Sequence, residues 1–329
     1  MATNKETAQK IVDRMLETIN EGGYLPWVKP WNNQRTIQII DGYTEIKFPV
    51  HYWSRAGKPY HGINIDLLAM SGKTGEMVTF NQCKAEGGRI KKGAKSATII
   101  YWNMIRKEDP DNLDADGKPT VKVIPILKTF NVFSVETDCE GLKTKHHPDD
   151  EVIRIPRSHW EPAPGLDPTK YDIAAEAIIA DYIARAKTLT IDRNSSGDRA
   201  YYDRAADHVV VPSIEQFAEV AEYYSTTFHE LGHSTGHSSR LDRFSKENRI
   251  AAWGDENYSR EELVAEITAA SILSELGLEA GNSFRNSTAY VKSWSENIKK
   301  DPMMFITAAS RAEKAIDLIL GRTTEPAAC

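Results

Sequence analysis

His229 and His233 stand four residues apart, with Glu230 directly after the first. On a helix, side chains four apart share a face, so the two imidazoles can reach one metal ion. The carboxylate of Glu230 is then placed to take a proton from a water activated by that ion. The chemistry this offers is metal-assisted hydrolysis of a carbonyl group, with Glu230 as general base. Two hydrogen-bonded core histidines on a packed helix are the bland alternative, and the adjacent glutamate argues against it.

The element that must carry these residues can be read from its flanks. Ile214, Phe217, Val220, Ala221, Tyr224, Phe228 and Leu231 recur at spacings of three and four, which predicts a helix with a buried stripe. Ser213 and Gln216 have the spacing of a capping box, which starts that helix just after Pro212. Gly236 is placed to stop it. A catalytic zinc needs a third protein ligand. His237 follows the stop and cannot turn inward, and Ser239 stands where the long metzincin pattern needs a histidine.

A second amphipathic run, Ser259 to Ile267, carries Glu262 and Glu266 four apart. It resembles the gluzincin arrangement, in which a downstream helix supplies a glutamate ligand and a second carboxylate holds a metal-bound imidazole. By that resemblance Glu262 is the ligand and Glu266 the partner of a histidine. Ser259 and Glu262 also match a capping box, and if Glu262 is spent there, Glu266 becomes the ligand. Glu261 should point away and be solvated. Tyr258 is a candidate to polarise a substrate carbonyl. Zn2+ suits two imidazoles and a carboxylate, with Mn2+ as the other divalent candidate.

The chain has 329 residues, 40% of them hydrophobic, enough for two domains with cores. No apolar run approaches the ~20 residues that span a bilayer. The segment Met1 to Glu21 has a helical stripe of Ile11, Met15, Leu16 and Ile19 and lacks the apolar core of a secretion signal. Cys83, Cys139 and Cys329 are scattered, which predicts a reducing cytoplasm and excludes a disulfide framework or zinc ribbon.

Charge divides the chain. Tyr24 to Lys107 holds 13 basic and 5 acidic residues, a +8 segment in a protein of net charge −6. Four of the seven tryptophans, Trp27, Trp31, Trp53 and Trp102, lie in the same segment. Basic side chains among aromatics suit single-stranded nucleic acid, where phosphates meet Lys and Arg and bases stack on rings. A buried role for the tryptophans and solvated turns for the lysines are the plain alternatives. An acidic DNA mimic is excluded by so small a net charge and by the +8 segment.

Several blocks occur in order: Pro26-Trp27-Val28-Lys29-Pro30-Trp31, Gly57-Lys58-Pro59-Tyr60-His61-Gly62-Ile63-Asn64, Thr79-Phe80-Asn81-Gln82 and Gly88-Arg89-Ile90-Lys91-Lys92-Gly93. With Thr227 to His237, Arg240 to Arg243 and Tyr258 to Glu266, they resemble the ArdC-type antirestriction proteins of conjugative plasmids over nearly the whole chain. The amino-terminal part is also similar to that of TraC-type plasmid primases. The resemblance implies a single-stranded-DNA-binding domain followed by a zincin-like metallopeptidase domain. It further implies protection of incoming plasmid DNA from host restriction, and passage of the protein into a recipient cell. Candidate strand contacts are Trp27, Lys29, Trp31, Lys58, Tyr60, Asn64, Arg89, Lys91, Lys92 and Lys95. The expected partners are single-stranded DNA and a restriction enzyme or other DNA-bound protein. A DNA-recruited protease and a priming accessory are the competing functions.

The expected fold class is α+β. Residues 1–145 form an antiparallel-sheet domain with strands at Val78–Phe80, Ser96–Trp102, Lys122–Ile126 and Lys128–Val135. Residues 146–168 form a proline-rich linker. Residues 169–329 form a mainly helical zincin-like domain, with helices at Ile173–Ala186 and Met304–Leu320. The acidic stretch Glu108 to Gly117 reads as an exposed insertion between strands. His208 to Val211 reads as the edge strand that would hold an extended peptide.

Overall fold

The computed structural model describes residues 4–22, 35–113, 119–162, 167, 170–246, 256–278 and 298–322. The chain is α+β, with sheets in its amino-terminal half and helices dominating the other. Helix α1 (Asn4–Gly22) comes first. Strands β1 (Thr36–Ile40) and β2 (Tyr43–Phe48) form a hairpin whose turn puts Asp41 and Gly42 at positive φ, a conformation that glycine tolerates best. Next come β3 (Tyr52–Ser54), α2 (Ile63–Met70), β4 (Gly75–Thr79) and α3 (Phe80–Ala85). Thr79 and Gln82 form a complete capping box that starts α3 where the strand ends.

After the short β5 (Arg89–Ile90), β6 (Ala97–Leu113) and β7 (Pro119–Ser134) make a long antiparallel arm. The acids from Glu108 to Asp111 lie within β6, so the expected insertion is narrower than its charge suggested. The four-stranded sheet has the order β3-β4-β7-β6. Asn64 fixes α2 to it: the side-chain amide donates to the Ile100 carbonyl and accepts from the Ile100 N–H, at 3.0 and 2.8 Å. The one-turn α4 (Val135–Asp138) leads to β8 (Cys139–Glu140), paired with β5. Cys83 and Cys139, far apart in sequence, bring their Sγ atoms to 3.9 Å in a small buried cluster.

Residues 146–168, expected as a linker, contain β9 (Glu151–Pro156), which pairs with β2 along six residues. The Ile153 and Ile155 side chains alternate inward into the core, a period-two signal short enough to be hidden by the surrounding prolines. Helix α5 (Ile173–Ala186) follows, capped by Asp172, whose carboxylate accepts from the Ala175 N–H at 2.9 Å. Strands β10 (Thr190–Ser195), β11 (Tyr201–Asp203) and β12 (His208–Pro212) form a sheet ordered β10-β12-β11. The strand at His208 to Val211 is therefore central, and β10 and β11 are the edges.

Pro212 is followed by a single 3-10 turn, Ile214–Gln216, and only then by α6 (Val220–Ser234). Phe217 is extended and breaks the helix expected to begin at Ser213, and Gln216 turns away to donate to the Ser195 carbonyl. Helices α7 (Arg243–Lys246), α8 (Glu256–Leu276) and α9 (Pro302–Leu320) complete the fold. Pro302 in the first turn of α9 and left-handed Gly321 at its end follow the usual asymmetry of helix termini.

The core runs across the expected domain boundary. Ala8, Ile11, Val12 and Leu16 of α1 pack with Leu263 and Val264 of α8 and Phe305 and Ala308 of α9. Ile46 and Phe48 of β2 join Ile178 and Phe228 in the other large cluster. At ~1.5–3 kcal/mol per buried aliphatic side chain, these contacts hold the two halves as one body. Arg322 adds a polar tie between Glu151 of β9 and Glu275 of α8. No helix among the described residues is long and apolar enough to cross a membrane.

Candidate metal centre

Helices α6 and α8 cross face to face, and each contributes one side of a cluster. Tyr224 on α6 is fully buried and its hydroxyl donates to Glu176 of α5 at 2.9 Å, while Ser234 bonds Tyr182. These ties fix the rotation of α6 and turn His229 and His233 toward α8. Their Nε2 atoms lie 3.1 Å apart. The Glu262 carboxylate reaches across with one oxygen to each ring, Oε2 at 3.4 Å from His229 Nε2 and Oε1 at 3.3 Å from His233 Nε2. One ligand atom from each of these three residues lies within 4.8 Å of the others, the one such group among the described residues. A tetrahedral site with bonds of ~2.0–2.1 Å has edges of roughly 3.3–3.4 Å, and each imidazole stands about that far from the carboxylate, so the cluster suits a divalent cation held between two rings and Glu262.

The outer ring nitrogens also face carboxylates. His229 Nδ1 lies 3.4 Å from Glu266, and His233 Nδ1 lies 3.7 Å from Glu261. Glu261, expected in solvent, is 3% exposed and ion-paired with Arg243 at 2.5 Å. Arg243 in turn donates to Thr235 and to the Gly232 carbonyl, fastening α7 to the end of α6. The capping-box alternative for Glu262 does not arise, because α8 begins at Glu256 and places Glu262 well inside the helix. Tyr258 lies in the first turn of α8, and its side chain falls outside the described residues.

Electrostatics follow from this packing. Burial disfavours a charged His229, but Glu262 and Glu266 outweigh it and push the ring up to about 10. His233 is raised for the same reason by Glu261 and Glu262. Glu262 is resisted by burial, yet the two imidazoles hold it well below the usual carboxylate range. Glu230 goes the other way: burial raises it, partly opposed by His233 and His229 and by the backbone N–H of Tyr202. A buried carboxylate beside two imidazoles, with its proton affinity raised, is what a general base at neutral pH requires. His237 is kept out by the helix end, its Nδ1 bonded to Ser239 at 2.8 Å.

The candidate DNA contacts are less uniform. Trp27, Lys29 and Trp31 lie outside the described residues. Lys58, Arg89, Lys92 and Lys95 are exposed, Arg89 in a surface pair with Glu140. The Lys91 ammonium donates to the Thr137 carbonyl at 2.8 Å. Asn64 is spent on the β6 backbone, and Tyr60 is half-buried in a cavity. Trp53 is a core residue at 4% exposure. Besides Tyr43 at the β1-β2 turn, 43% exposed, the aromatics that face solvent among the described residues of this half are Phe80 and Phe130, at 57% and 44%. The register that pairs Thr79 with Val132 puts both at the same end of the β4-β7 ladder. Exposure of a phenylalanine leaves no mark in the sequence, which is why these two were missed.

Residues 5–133 match the family model of the N-terminal domain of the anti-restriction factor ArdC. Residues 178–311 match the model of a zincin-like metallopeptidase. Among solved structures, the metal-free antirestriction ArdC protein of plasmid R388 superimposes with a TM-score of 0.61 at 31% identity, over 96% of this chain and 97% of that one. Its Mn(II)-bound form gives 0.61 at 29% identity, over 97% and 98%. A DNA primase TraC of Escherichia coli is 30% identical over 97% of this chain, which spans only 20% of that much longer protein. With both halves matched in order and a solved relative covered from end to end, the chain belongs to the ArdC antirestriction family.

Proposed function

We propose that this protein binds single-stranded DNA through its amino-terminal half and carries a divalent-metal peptidase centre in the other, acting to shield incoming plasmid DNA from restriction. The observation that carries the reading is the convergence of His229, His233 and Glu262, one ligand atom from each lying within 4.8 Å of the others. A cation bound there would supply Lewis acidity, making a water nucleophilic near neutral pH. Zn2+ suits the ligand set, and the Mn(II) form of the R388 relative makes Mn2+ an equal candidate.

Glu230 accepts the proton and returns it to the leaving amine. Glu266 and Glu261 hold the two imidazoles in the tautomer that leaves Nε2 free to ligate. Strand β11 is an outer strand of its sheet, and of the two edges it is the one whose Tyr202 bonds Glu230, so an extended polypeptide would add beside β11 rather than β12. Exposed Arg89, Lys92 and Lys95 would meet phosphates, with Phe80 and Phe130 as stacking surfaces.

The open edge at β11 favours a second reading, a protease that acts on DNA-bound proteins such as a restriction enzyme. A priming accessory rests on the likeness to the primase alone. Glu230→Gln separates the first two. In both it should keep the metal and lose hydrolysis. If plasmid protection survives in that variant, the metal half serves as a binding platform. If protection disappears with hydrolysis, cleavage is the function. Gel shifts of the full chain test the other half: equal affinity for duplex and single strands would end the DNA reading.

A further inference from the structure

The segment Pro59-Tyr60-His61-Gly62-Ile63 takes no part in the metal centre. It forms one wall of a cavity of ≈ 90 Å3 between the sheet half and the helices. Across from it, α8 presents Ile267 and Glu275, and α9 presents Glu313, Ile316 and Asp317. Four carboxylates line the space, Glu151, Glu275, Glu313 and Asp317, against the guanidinium of Arg322 and the imidazoles of His51 and His61.

That guanidinium is already committed. Arg322 bonds Glu151 at 2.6 and 2.7 Å and Glu275 at 2.6 Å, and lies 4.0 Å from Asp317. Glu313 has no hydrogen bond or ion pair among the described residues. Its carboxylate abuts the bare Cα of Gly62, where a Cβ would come within 2.5 Å of it. Only a glycine, here at φ +55°, leaves that room. A lone carboxylate in an aromatic-walled cavity is an unmatched charge, which a bound counter-charge would stabilise.

We propose that this cavity binds an organic cation, a primary ammonium or guanidinium on an apolar stem, with its charge at Glu313 and Asp317 and its stem along Tyr60 and Ile316. A phosphate-bearing ligand is repelled by the carboxylates. A bare metal ion finds apolar walls and acids already held by Arg322. An uncharged apolar ligand leaves Glu313 unmatched. The Tyr60 ring adds a surface suited to a cation. Burial and the neighbouring Asp317 outweigh Lys314 and Arg322 and push Glu313 up to about 7. Two sources share this chemistry: a free polyamine, and a lysine or arginine side chain on a polypeptide.

Calorimetric titration of the full chain at low salt and mildly alkaline pH tests the site. The probes are spermidine, agmatine, and the N-acetyl amides of lysine and arginine. Saturable one-site binding is expected for at least one of them, the free amines or the amino-acid amides binding tighter according to source. Glu313→Gln should weaken it at least tenfold, and Asp317→Asn should weaken it less. Glu230→Gln, which removes the general base of the distant metal centre and leaves this cavity untouched, should bind the cation as the unmodified protein does. Absence of saturable binding, equal affinity in a folded Glu313→Gln protein, or tighter binding of neutral cytidine than of any amine would each overturn the proposal.

Discussion

Gly232 of α6 lies against Ala265 of α8 so closely that a Cβ at position 232 would sit 3.1 Å from the Ala265 Cα. The pair sets the separation of the two helices one turn from the ligands, between His229 and His233 on one side and Glu262 and Glu266 on the other. Gly232→Ala makes two effects compete. Helix propensity favours alanine by about 1 kcal/mol, while crowding against a backbone that cannot swing aside costs ~1–3 kcal/mol. The steric term should win. Urea unfolding should show a net loss, and metal titration a weaker site as Glu262 is pushed back. A variant that gains stability and keeps full metal affinity would show that the crossing is looser than it looks.

Glu261 and Glu266 should matter to metal binding without ligating. Replacing either by Gln removes the charge facing one Nδ1 and is expected to lower metal affinity by roughly 10–100-fold, with stoichiometry unchanged at saturation. Glu262→Gln should instead abolish tight binding. Glu261→Gln carries a further signature, because it strands Arg243 in the core: a stability loss of about 3–5 kcal/mol is typical of breaking a buried pair. Should Glu261→Gln and Glu266→Gln be equally benign in both assays, the carboxylates are merely neighbours.

The region between the two helices was legible in sequence up to a point. Spacing alone singles out His229, Glu230 and His233, and helices α5 and α9 fall within two residues of where periodicity puts them. Glu261 was missed because the face of a helical residue depends on what packs on every side. Arg243, eighteen positions earlier, is what draws it inward. The break at Phe217 defeated the periodicity argument, since apolar residues on a 3-10 turn and on the following helix fall by chance at helical spacing. The identity of the edge strand depends on strand order, and the approach of Cys83 to Cys139 depends on a distant β5-β8 pairing. Neither is a local property of the chain.

Proton release should accompany metal binding. Without the cation, His229 holds its proton up to about 10, because Glu262 and Glu266 outweigh its burial. A ligating imidazole must be neutral, so the metal displaces that proton and affinity should rise with pH across the neutral range. The linkage has a second consequence. The folded pKa lies above the unfolded value of 6.5, so the stability from this contact is full below 6.5 and is lost as pH rises toward 10. Metal-free protein should therefore weaken over that window, and the metal-loaded protein should not. Calorimetry in buffers of different ionisation enthalpy measures the protons released. A heat independent of buffer would contradict the protonated metal-free site.

Glu313 shares the direction of that pH dependence, but as a penalty on its ionised form, and so offers a stabilising substitution. Its folded pKa of about 7 lies above the ordinary 4.5, raised by burial and by Asp317. Between those values the folded state keeps a proton that the unfolded chain has released, so stability falls as pH rises from 4.5 to 7 and stays lower above it. Allowing for its partial exposure, the penalty is on the order of 1–3 kcal/mol. Glu313→Gln keeps the shape and removes the charge. Its unfolding free energy should match that of the unmodified protein near pH 4.5 and exceed it above 7, provided no cation fills the cavity. Adding a bound amine should narrow the gap by stabilising only the protein that retains the carboxylate. Unfolding curves that run parallel at every pH would mean that this carboxylate is as well solvated in the fold as in the open chain.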